Sequence, residues 1–306
     1  MEPTEADRLE AQRPYMFAIA YRMLGSVTEA EDIVQEAYLR YQTNPPDRVV
    51  SPRSYLSTIV TRLCINYLQS ARASRESYIG PWLPEPALTA GDERFSPTGK
   101  VELQESLSLA FMVILEQLTP LERAVFLLRE VFDYDYDEVA QVVGSTPAAC
   151  RQLMSRARKH VAERRPRFKP SPEAHRQIFD KFIVAVTEGD LGGLLQLLDE
   201  DVVLWADGGG KVKGALTRPL EGPKAVTKFL VASPRLSEGP YSHQLAEVNG
   251  ELALILSVHN RIVIIMTIGL SGDKINVIHV VGNPDKLQRI ARTLHPDPGD
   301  SNPASE

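Results

Sequence analysis

Residues 142–165, VVGSTPAACRQLMSRARKHVAERR, have the pattern of two helices joined by a tight turn. Gly144 can end one helix and Pro147 can begin the next, which is the spacing of a helix, a tight turn and a second helix. Upstream, the segments TPLE and DYDE each place a capping residue three positions before a glutamate. We therefore expect residues 102–168 to form a helical domain that ends in a helix-turn-helix.

The second helix of this stretch has two different faces. At about 100° per residue, its apolar side consists of Cys150, Leu153, Met154, Ala157 and Val161. Its polar side, with Arg156 on the flank, consists of Arg151, Gln152, Ser155, Arg158 and Lys159. Residues 151–169 contain eight basic side chains and one acid, Glu163. A solvated surface helix normally mixes charge signs, so this pattern favours contact with phosphates and base edges in a DNA groove.

The composition limits the alternatives. The chain has 306 residues, 43% of them hydrophobic, and a formal net charge of -6, so it can form two or three domains with apolar cores. Its longest apolar run, IVIIMTIGL at 262–270, is about half of the ~18–20 residues that a membrane span needs. The N-terminus lacks the pattern of a secretion signal. We expect a cytoplasmic protein that does not enter the membrane.

The two cysteines, Cys64 and Cys150, lie far apart in the sequence at apolar positions of predicted helices. In a reducing cytoplasm this favours buried free thiols over a disulfide or a metal site. We expect neither a metal nor a cofactor.

Residues 13–78 have the periodicity of amphipathic helices. In EAEDIVQEAYLRY, one apolar stripe consists of Ala30, Ile33, Val34, Ala37 and Tyr41. SPRSYLSTIVTRLCINYLQSAR begins with Ser51 as a cap and Pro52 at the first helical position, and its end is basic. Prolines and glycines then mark residues 79–101 as a linker. Because its centre, PWLPEP, carries a tryptophan and a leucine, we expect a stiff segment docked on a neighbouring domain.

Together, EAEDIVQEAYLRY, SPRSYLSTIVTRLCINYLQSAR and the helix-turn-helix stretch resemble regions 2 and 4 of extracytoplasmic-function sigma factors, the small two-domain members of the sigma-70 family. The resemblance implies a bacterial initiation subunit that is not an enzyme. Region 2 would bind the clamp helices of core RNA polymerase and open the minus-ten promoter element. Region 4 would meet the polymerase flap and read the minus-thirty-five element of promoter DNA. The alternative is a plain helix-turn-helix regulator that never joins polymerase.

The resemblance also assigns site residues. It assigns contact with polymerase to polar side chains beside the apolar stripe, because such side chains suit a charge-complementary interface. They are Asp32, Gln35, Glu36 and Arg40. The melted promoter strand would meet Arg62, Asn66, Gln69 and Arg72. Many family members have an acid where Asn66 stands, so their promoter preference is not transferred. In the helix-turn-helix, the residues assigned to base-edge and phosphate contacts are Thr146, Arg151, Gln152, Ser155, Arg156, Arg158 and Lys159.

Residues 169–291 are not part of a minimal sigma factor. PEAHRQIFDKFIVAVTEGDLGGLLQLLDEDVVLW predicts two helices and a strand, and β-branched runs joined by NG and SGDK predict antiparallel hairpins. The result is an α+β domain, which resembles the SnoaL-like domains of the nuclear transport factor 2 superfamily, a curved sheet over helices with a conical pocket. We therefore expect a multidomain chain with two all-α domains, 1–78 and 102–168, before this domain. The tail, 292–306, has a disordered composition.

Three motifs, WLPEP, DGGGK and NPDKL, resemble marks of the sigma-factor group that carries such an extension as a built-in regulator. The resemblance assigns a regulatory interdomain role to Trp82, Leu83, Pro84, Asp207, Gly208, Gly209, Gly210, Lys211, Asn283, Pro284, Asp285, Lys286 and Leu287. DGGGK also suggests a phosphate cradle, but it lacks the spacing of a P-loop. Its three glycines favour a tight loop that another domain approaches closely.

Two other roles of the extension stay open. Some related domains are isomerases or cyclases that use a pocket acid or histidine, and the candidates here are Asp207, His243, His259 and His279. The sequence does not bring these groups into one pocket, so we expect no catalytic residues. The second role is a small-molecule effector held in the pocket.

Overall fold

A computed structural model gives the structure of this chain. It describes residues 5–43, 51–76, 78–97, 103, 105–162, 171–232 and 241–294. The chain divides into two compact units. The first consists of Met1–Ser77 and Thr89–Arg165, and the second consists of Tyr78–Leu88 and Pro166–Glu306. The short segment Tyr78–Leu88 therefore belongs to the second unit, although it interrupts the first unit in the sequence. Of the described helices, none combines the length and the apolar character needed to cross a bilayer.

Helices build the described part of the first unit. They are α1 (Glu5–Glu10), α2 (Arg13–Leu24), α3 (Val27–Thr43), α4 (Pro52–Glu76), α5 (Leu109–Leu115), α6 (Pro120–Phe126), α7 (Tyr136–Val143) and α8 (Pro147–Ala162), with a π-helical turn at Leu127–Val131. Helix α2 packs against α3 and α4, and every residue from Tyr15 to Leu24 is buried. Apart from Arg22, this stretch is predominantly apolar on all sides, which suits a central position.

Local capping explains where the helix-turn-helix begins and ends. Asp135 Oδ1 accepts hydrogen bonds from the backbone N–H of Glu138 at 2.8 Å, and the Glu138 carboxylate accepts from the N–H of Asp135 at 2.8 Å. Gly144 ends α7 with φ +68°, a left-handed conformation that glycine adopts without strain. The hydroxyl of Thr146 accepts from the N–H of Ala149 at 3.2 Å and caps α8. The predicted helix-turn-helix is confirmed.

Buried polar groups join α2 to later parts of the first unit. Arg22, only 1% exposed, donates to Ser106 Oγ at 2.7 Å and to the carbonyls of Phe95 and Leu103 at 2.7 Å each. Burial lowers the pKa of Arg22 to about 9, so the guanidinium keeps its charge at neutral pH.

Two further buried contacts connect the N-terminal helices with the α6–α7 segment. Arg123, on α6, donates to the carbonyl of Met23 at 2.6 Å and to the carboxylate of Glu116 at 2.7 Å. The hydroxyl of Tyr134 donates to Ser57 Oγ on α4 at 2.8 Å. The two predicted all-α regions therefore pack into one compact body.

The second unit is an α+β domain, as predicted. Its elements are α9 (Pro172–Glu188), α10 (Leu191–Leu197), β1 (Leu198–Asp207), β2 (Leu220–Glu221), α11 (Pro223–Ala232), β3 (Tyr241–Val248), β4 (Glu251–Val258), β5 (Arg261–Ser271), β6 (Lys274–Val281) and α12 (Pro284–Leu294). The six-stranded sheet has the order β2-β1-β6-β5-β4-β3. Strand β1 is parallel to β6, and the other pairs are antiparallel. Phe179 and Phe182 of α9 lie in the core with side chains from this sheet.

The turns of the sheet follow the predicted chemistry. Asn249 and Gly250 join β3 to β4 with φ of +54° and +69°, and Gly272 lies between β5 and β6 with φ +65°. These are left-handed conformations that asparagine and glycine favour in tight hairpins. The β4–β5 turn places His259 and Asn260 at φ of +50° and +60°, which the sequence pattern did not indicate.

Some elements differ from the expectation. The sequence patterns do not indicate helices α11 and α12, and the motif NPDKL consists of Asn283 and the first four residues of α12. The expected linker, 79–101, is divided between the units: residues 78–88 associate with the second, residues 89–97 associate with the first, and 98–102 lie outside the described residues. Helix α12 includes residues 292–294 of the expected tail, and residues 295–306 lie outside the described part. The domain boundaries stay a prediction.

Candidate functional site

The outer face of α8 is the basic surface expected from the sequence. Its predicted contact residues are all exposed: Arg151, Gln152, Ser155, Arg156, Arg158 and Lys159. The opposite side is buried and consists of Cys150, Met154, Ala157 and Val161, whereas Leu153 is half-buried. Packing of the apolar stripe thus orients the basic groups outward. The division of the helix into two faces is confirmed, and its contact with DNA stays a prediction.

Two arginines on this face have partners within the first unit. Arg158 lies 2.5 Å from a carboxylate oxygen of Glu130, and the Arg151 guanidinium lies 5.0 Å from the centre of the Tyr136 ring. The exposed ion pair contributes little to folding stability. Because Glu130 partly neutralises Arg158, Arg151 is the stronger candidate for a base contact, and Arg158 for a phosphate contact.

The predicted polymerase-binding residues follow one side of α3. Asp32, Gln35 and Arg40 are exposed and Glu36 is half-buried, with Glu36 accepting from Arg40 at 2.7 Å. Leu39 lies beside them and is 51% exposed, which sequence periodicity did not single out. A single exposed leucine is common on protein surfaces, so contact of this face with polymerase stays a prediction.

The predicted strand-binding residues lie on α4. Arg62, Asn66 and Gln69 are exposed; Arg72 belongs to the same helix, beyond the residues whose side chains are described. Arg62 donates from Nε to the carbonyl of Val142 and from Nη2 to the carbonyl of Gln141, both at 2.8 Å. A cation at the C-terminal carbonyls of a helix is favourable. Arg62 thus caps α7, the first helix of the helix-turn-helix.

In the second unit, the carboxylate of Asp207 holds the segment Tyr78–Leu88. Oδ1 accepts from the Tyr78 hydroxyl at 2.5 Å and from the N–H of Gly209 at 3.0 Å. Oδ2 accepts from the N–H of Leu83 at 2.9 Å and from Lys286 Nζ at 2.6 Å. With Asp207 only 1% exposed, four donors occupy this buried carboxylate.

Lys286 and Asn283 complete this arrangement, and we call Asp207, Asn283 and Lys286 the Asp207 clamp. Asn283 Nδ2 donates to the Tyr78 hydroxyl at 2.8 Å. Lys286 Nζ also donates to the Leu83 carbonyl and lies 4.3 Å from the centre of the Trp82 ring, a cation–π contact. Burial, followed by the hydrogen bond to Asp207, raises the pKa of Tyr78 well above its ordinary value, so its hydroxyl stays protonated and donates.

The glycine loop, residues 207–215, explains the DGGGK motif. A Cβ at Gly209 would lie 2.3 Å from Asn283 Nδ2, and one at Gly210 would lie 3.0 Å from Cδ1 of Ile79. Both glycines also have positive φ, +58° and +71°. The tight loop is therefore as expected. The chain that approaches it closely is not a separate domain, however, because Ile79 belongs to the segment Tyr78–Leu88 of the same unit.

The other predicted regulatory residues surround this clamp. Leu83, Pro84 and Leu287 are buried, Trp82 is half-buried, and Pro284 is exposed. Lys211 and Asp285 form an exposed ion pair. The structure therefore brings all thirteen predicted residues to one end of the second unit.

A second anchor holds the other end of the segment. Asn249 is fully buried; its Oδ1 accepts from the N–H of Ala87 at 3.0 Å, and its N–H donates to the Ala87 carbonyl at 2.9 Å. Leu88 forms an antiparallel bridge with Val248. The sequence does not indicate Tyr78 or Asn249 as anchors, because Tyr78 lies at the expected end of region 2 and the hairpin turn alone accounts for Asn249.

A cavity of about 340 Å³ lies between the helices and the sheet of the second unit. Its lining is largely apolar and includes Asp207 and Gly208. Of the proposed acid–base groups, the cavity lining includes Asp207 and the exposed His243. His279 is buried elsewhere, where burial lowers its pKa to about 4, and His259 lies in a turn. The four groups do not meet.

The described residues contain no group of three or more histidine, cysteine or acidic side chains arranged to hold a metal ion. Cys64 and Cys150 are free and buried, as predicted. Burial raises the pKa of both thiols, which makes them poor nucleophiles.

Comparison with known proteins supports both helical regions. The family model "Sigma-70 region 2" matches residues 9–74, and "Sigma-70, region 4" matches residues 108–161. The chain is similar to the ECF RNA polymerase sigma factor SigJ of Mycobacterium tuberculosis, with 40% identity over 81% of this chain and 80% of that protein. It is also similar to the probable ECF RNA polymerase sigma factor SigI of the same organism, with 32% identity over 93% of this chain and 95% of the relative.

The similarity extends through the second unit. The crystal structure of Mycobacterium tuberculosis SigJ matches with a TM-score of 0.74 and 35% identity, over 93% of this chain and 98% of that chain. The match therefore includes the α+β domain as well as the helical regions. The predicted fold, two helical sigma regions followed by an α+β extension, is confirmed.

Proposed function

Because the chain belongs to the extracytoplasmic-function family of RNA polymerase sigma factors, we propose that its second unit regulates its own promoter-specific initiation. Regulation would act through the segment Tyr78–Leu88, which connects region 2 to region 4 in the sequence. We place this activity in the cytoplasm, on core RNA polymerase and promoter DNA. The polymerase surface of α3 and the DNA surfaces of α4 and α8 are the proposed contacts.

The first unit has a closed arrangement that must open for promoter reading. The minus-ten and minus-thirty-five elements are about 25 base pairs apart, which is roughly 85 Å of B-DNA at 3.4 Å per base pair. A compact body of this size has a diameter of only about 40 Å, and Arg62 of α4 bonds directly to α7. The two DNA surfaces therefore separate before both elements are bound together.

The Asp207 clamp supports control of this opening. Residues 78–88 held by the second unit cannot act as a free spacer between regions 2 and 4. When the flexible chain between two binding surfaces becomes shorter, each surface is held at a higher effective concentration near the other. The clamp would thus favour the closed arrangement, and release of the segment would favour the open, polymerase-bound arrangement.

Asp207 provides the main support for this role, because groups that hold the segment occupy all of its acceptor positions. A carboxylate with four donors, one of them the Lys286 ammonium, is not available as a catalytic base. The arrangement therefore supports a structural hold on the segment rather than an isomerase or cyclase site. It leaves room for an effector in the adjacent cavity.

The experiment is transcription in vitro with core polymerase on a promoter taken from upstream of the gene itself. The full chain is compared, at equal soluble concentration, with a chain that ends before Asn283 and so lacks two clamp residues. We expect promoter-dependent transcript from both chains and more from the truncated one. Tight binding to duplex DNA without binding to polymerase would favour a plain helix-turn-helix regulator. Equal output from both chains would remove the regulatory role.

A further inference from the structure

The cavity of the second unit and the Asp207 clamp share one structural element. The glycine loop contributes Asp207, Gly208 and Val212 to the cavity lining, and it contacts the segment 78–88 through Gly210 and Ile79. We propose that the cavity binds a neutral, predominantly apolar small molecule of about two fused rings, and that its binding and the docking of segment 78–88 strengthen each other.

The lining indicates the charge of the ligand. Inside the cavity it consists mainly of aliphatic and aromatic side chains, such as Phe182, Ile264 and Met266. The one buried charge of the lining, Asp207, is already balanced by Lys286, at 2.6 Å. The lysine and histidine of the lining, Lys213 and His243, are exposed. A charged ligand would lose its hydration without gaining a buried partner, whereas a neutral apolar ligand gains from burial.

The volume indicates the size of the ligand. About 340 Å³ lies at the lower end of the ~300–1,000 Å³ range of small-molecule sites. A two-ring compound with one hydroxyl or carbonyl group is within this limit. Its polar group would point to the mouth of the cavity, where Lys213 and His243 are exposed.

The coupling follows from the crowded geometry of the loop. A Cβ on Gly208 would lie 2.5 Å from the Cβ of Ala215, and a Cβ on Gly209 would lie 2.3 Å from Asn283 Nδ2. Ala215 belongs to the same loop and lines the cavity, whereas Asn283 belongs to the clamp. Because adjacent residues of one tight loop pack against these two groups, a displacement of the loop at the cavity also displaces it at the clamp. A ligand that contacts the clamped form of the loop therefore binds that form more tightly, and linkage makes the effect reciprocal.

The test uses 2-naphthol, which is neutral at pH 7, and 2-naphthoate, an anion of similar shape. Dissociation constants are measured by ligand-observed NMR on the full chain and four variants. Ile264→Trp fills the cavity; Lys286→Met and Tyr78→Phe weaken the clamp by different routes; and Lys224→Met changes an exposed lysine of α11 outside the cavity lining. Far-UV circular dichroism establishes that each variant is folded, and Tyr78→Phe alone suffices if Lys286→Met does not fold.

We expect 2-naphthol to bind more tightly than 2-naphthoate. Its dissociation constant should rise at least about tenfold in Ile264→Trp, should rise about fivefold or more in the clamp variants, as for typical coupled sites, and should not change in Lys224→Met. Tighter binding of the anion, no saturable binding, or unchanged affinity in Ile264→Trp would overturn the site. Unchanged affinity in a folded clamp variant would overturn the coupling.

An effect of the ligand on transcription rests on the proposed function, whereas binding in the cavity and its coupling to the clamp do not. If the clamp variants transcribe like the wild type while 2-naphthol still binds as expected, the regulatory role fails and the cavity site stands.

Discussion

Lys286 Nζ lies 2.6 Å from Oδ2 of Asp207, and the two side chains are only 13% and 0% exposed. This buried ion pair joins the end of β1 to the first turn of α12, and both partners also bond to Leu83. Removing one partner of such a pair leaves an uncompensated buried charge, which costs more than an exposed pair contributes. The pair is therefore the energetic centre of the Asp207 clamp.

We predict that Asp207→Asn lowers the free energy of unfolding of the second unit by about 3–5 kcal/mol, because the Lys286 ammonium loses its counterion in a buried site. The matched control is Asp285→Asn, which breaks the exposed pair with Lys211 and should cost less than about 1 kcal/mol. Both tryptophans, Trp82 and Trp205, belong to the second unit. Urea unfolding followed by tryptophan fluorescence therefore reports this unit. Equal losses in the two variants would show that the buried pair has no special role.

The close approach of Gly209, in the glycine loop, to Asn283 gives a second prediction. Gly209→Ala and Gly272→Ala both place a side chain at positive φ, and each should cost about 1 kcal/mol for that reason. Only Gly209 adds a clash, with a Cβ 2.3 Å from Asn283 Nδ2, whereas a Cβ at Gly272 meets nothing within 4 Å. We expect Gly209→Ala to lose about 1–3 kcal/mol more in the same unfolding measurement. Similar losses would mean that Asn283 can move aside freely.

Two substitutions on the outer face of α8 should affect promoter recognition in different ways. Gln152→Ala should relax selection at one position of the minus-thirty-five element, with a change of about 1–3 kcal/mol that depends on the base there. Lys159→Ala should weaken transcription by a similar factor on every template, because a phosphate contact carries no base information. The measurement is transcription by the polymerase complex on templates with single substitutions in that element. Uniform effects of both variants would contradict the assignment of Gln152.

His279 gives a prediction for pH. Burial lowers its pKa to about 4 from an ordinary value of about 6.5, so the unfolded chain takes up the proton first as the pH falls. The free energy of unfolding of the second unit should therefore decrease between about pH 6.5 and pH 4, by about 3 kcal/mol in total from this residue. Above pH 6.5 both states are neutral and the effect is absent. In His279→Gln the decrease over this window should be shallower; an identical slope would contradict the pKa shift.

Local signals predict much of this fold. The caps at Asp135 and Gly144 depend on a few neighbouring residues, and the two faces of α8 follow from helical periodicity alone. The hairpins follow in the same way from Asn249 and Gly250 at a turn between β-branched runs. Helix α12 also had a usable signal, a capping Asn283 followed by Pro284, which its interpretation as a motif concealed.

The clamp could not be derived from local pattern. The bond from Tyr78 to Asp207 joins residues 129 positions apart, and the bond from Asn283 to Tyr78 joins residues 205 positions apart. The family resemblance indicated the loop and the α12 motif but not Tyr78 or Asn249. The capping role of Arg62 could not be derived from local pattern either. A basic residue on an exposed helix face predicts contact with DNA, whereas the hydrogen bonds from Arg62 to α7 depend on tertiary packing.

Regulation through the Asp207 clamp can be measured by transcription in vitro with core polymerase on the promoter upstream of the gene. The decisive variant is Tyr78→Phe, which removes the hydroxyl that bonds to Asp207 and Asn283 without creating a buried charge; Lys224→Met is the control. Losing hydrogen bonds to a charged group is worth about 1.5–3 kcal/mol, enough to release segment 78–88 in a larger share of molecules. We predict more transcript from Tyr78→Phe than from wild type at limiting polymerase, with Lys224→Met unchanged. Equal transcript from Tyr78→Phe and wild type, with the variant fully folded, would contradict regulation through the Asp207 clamp.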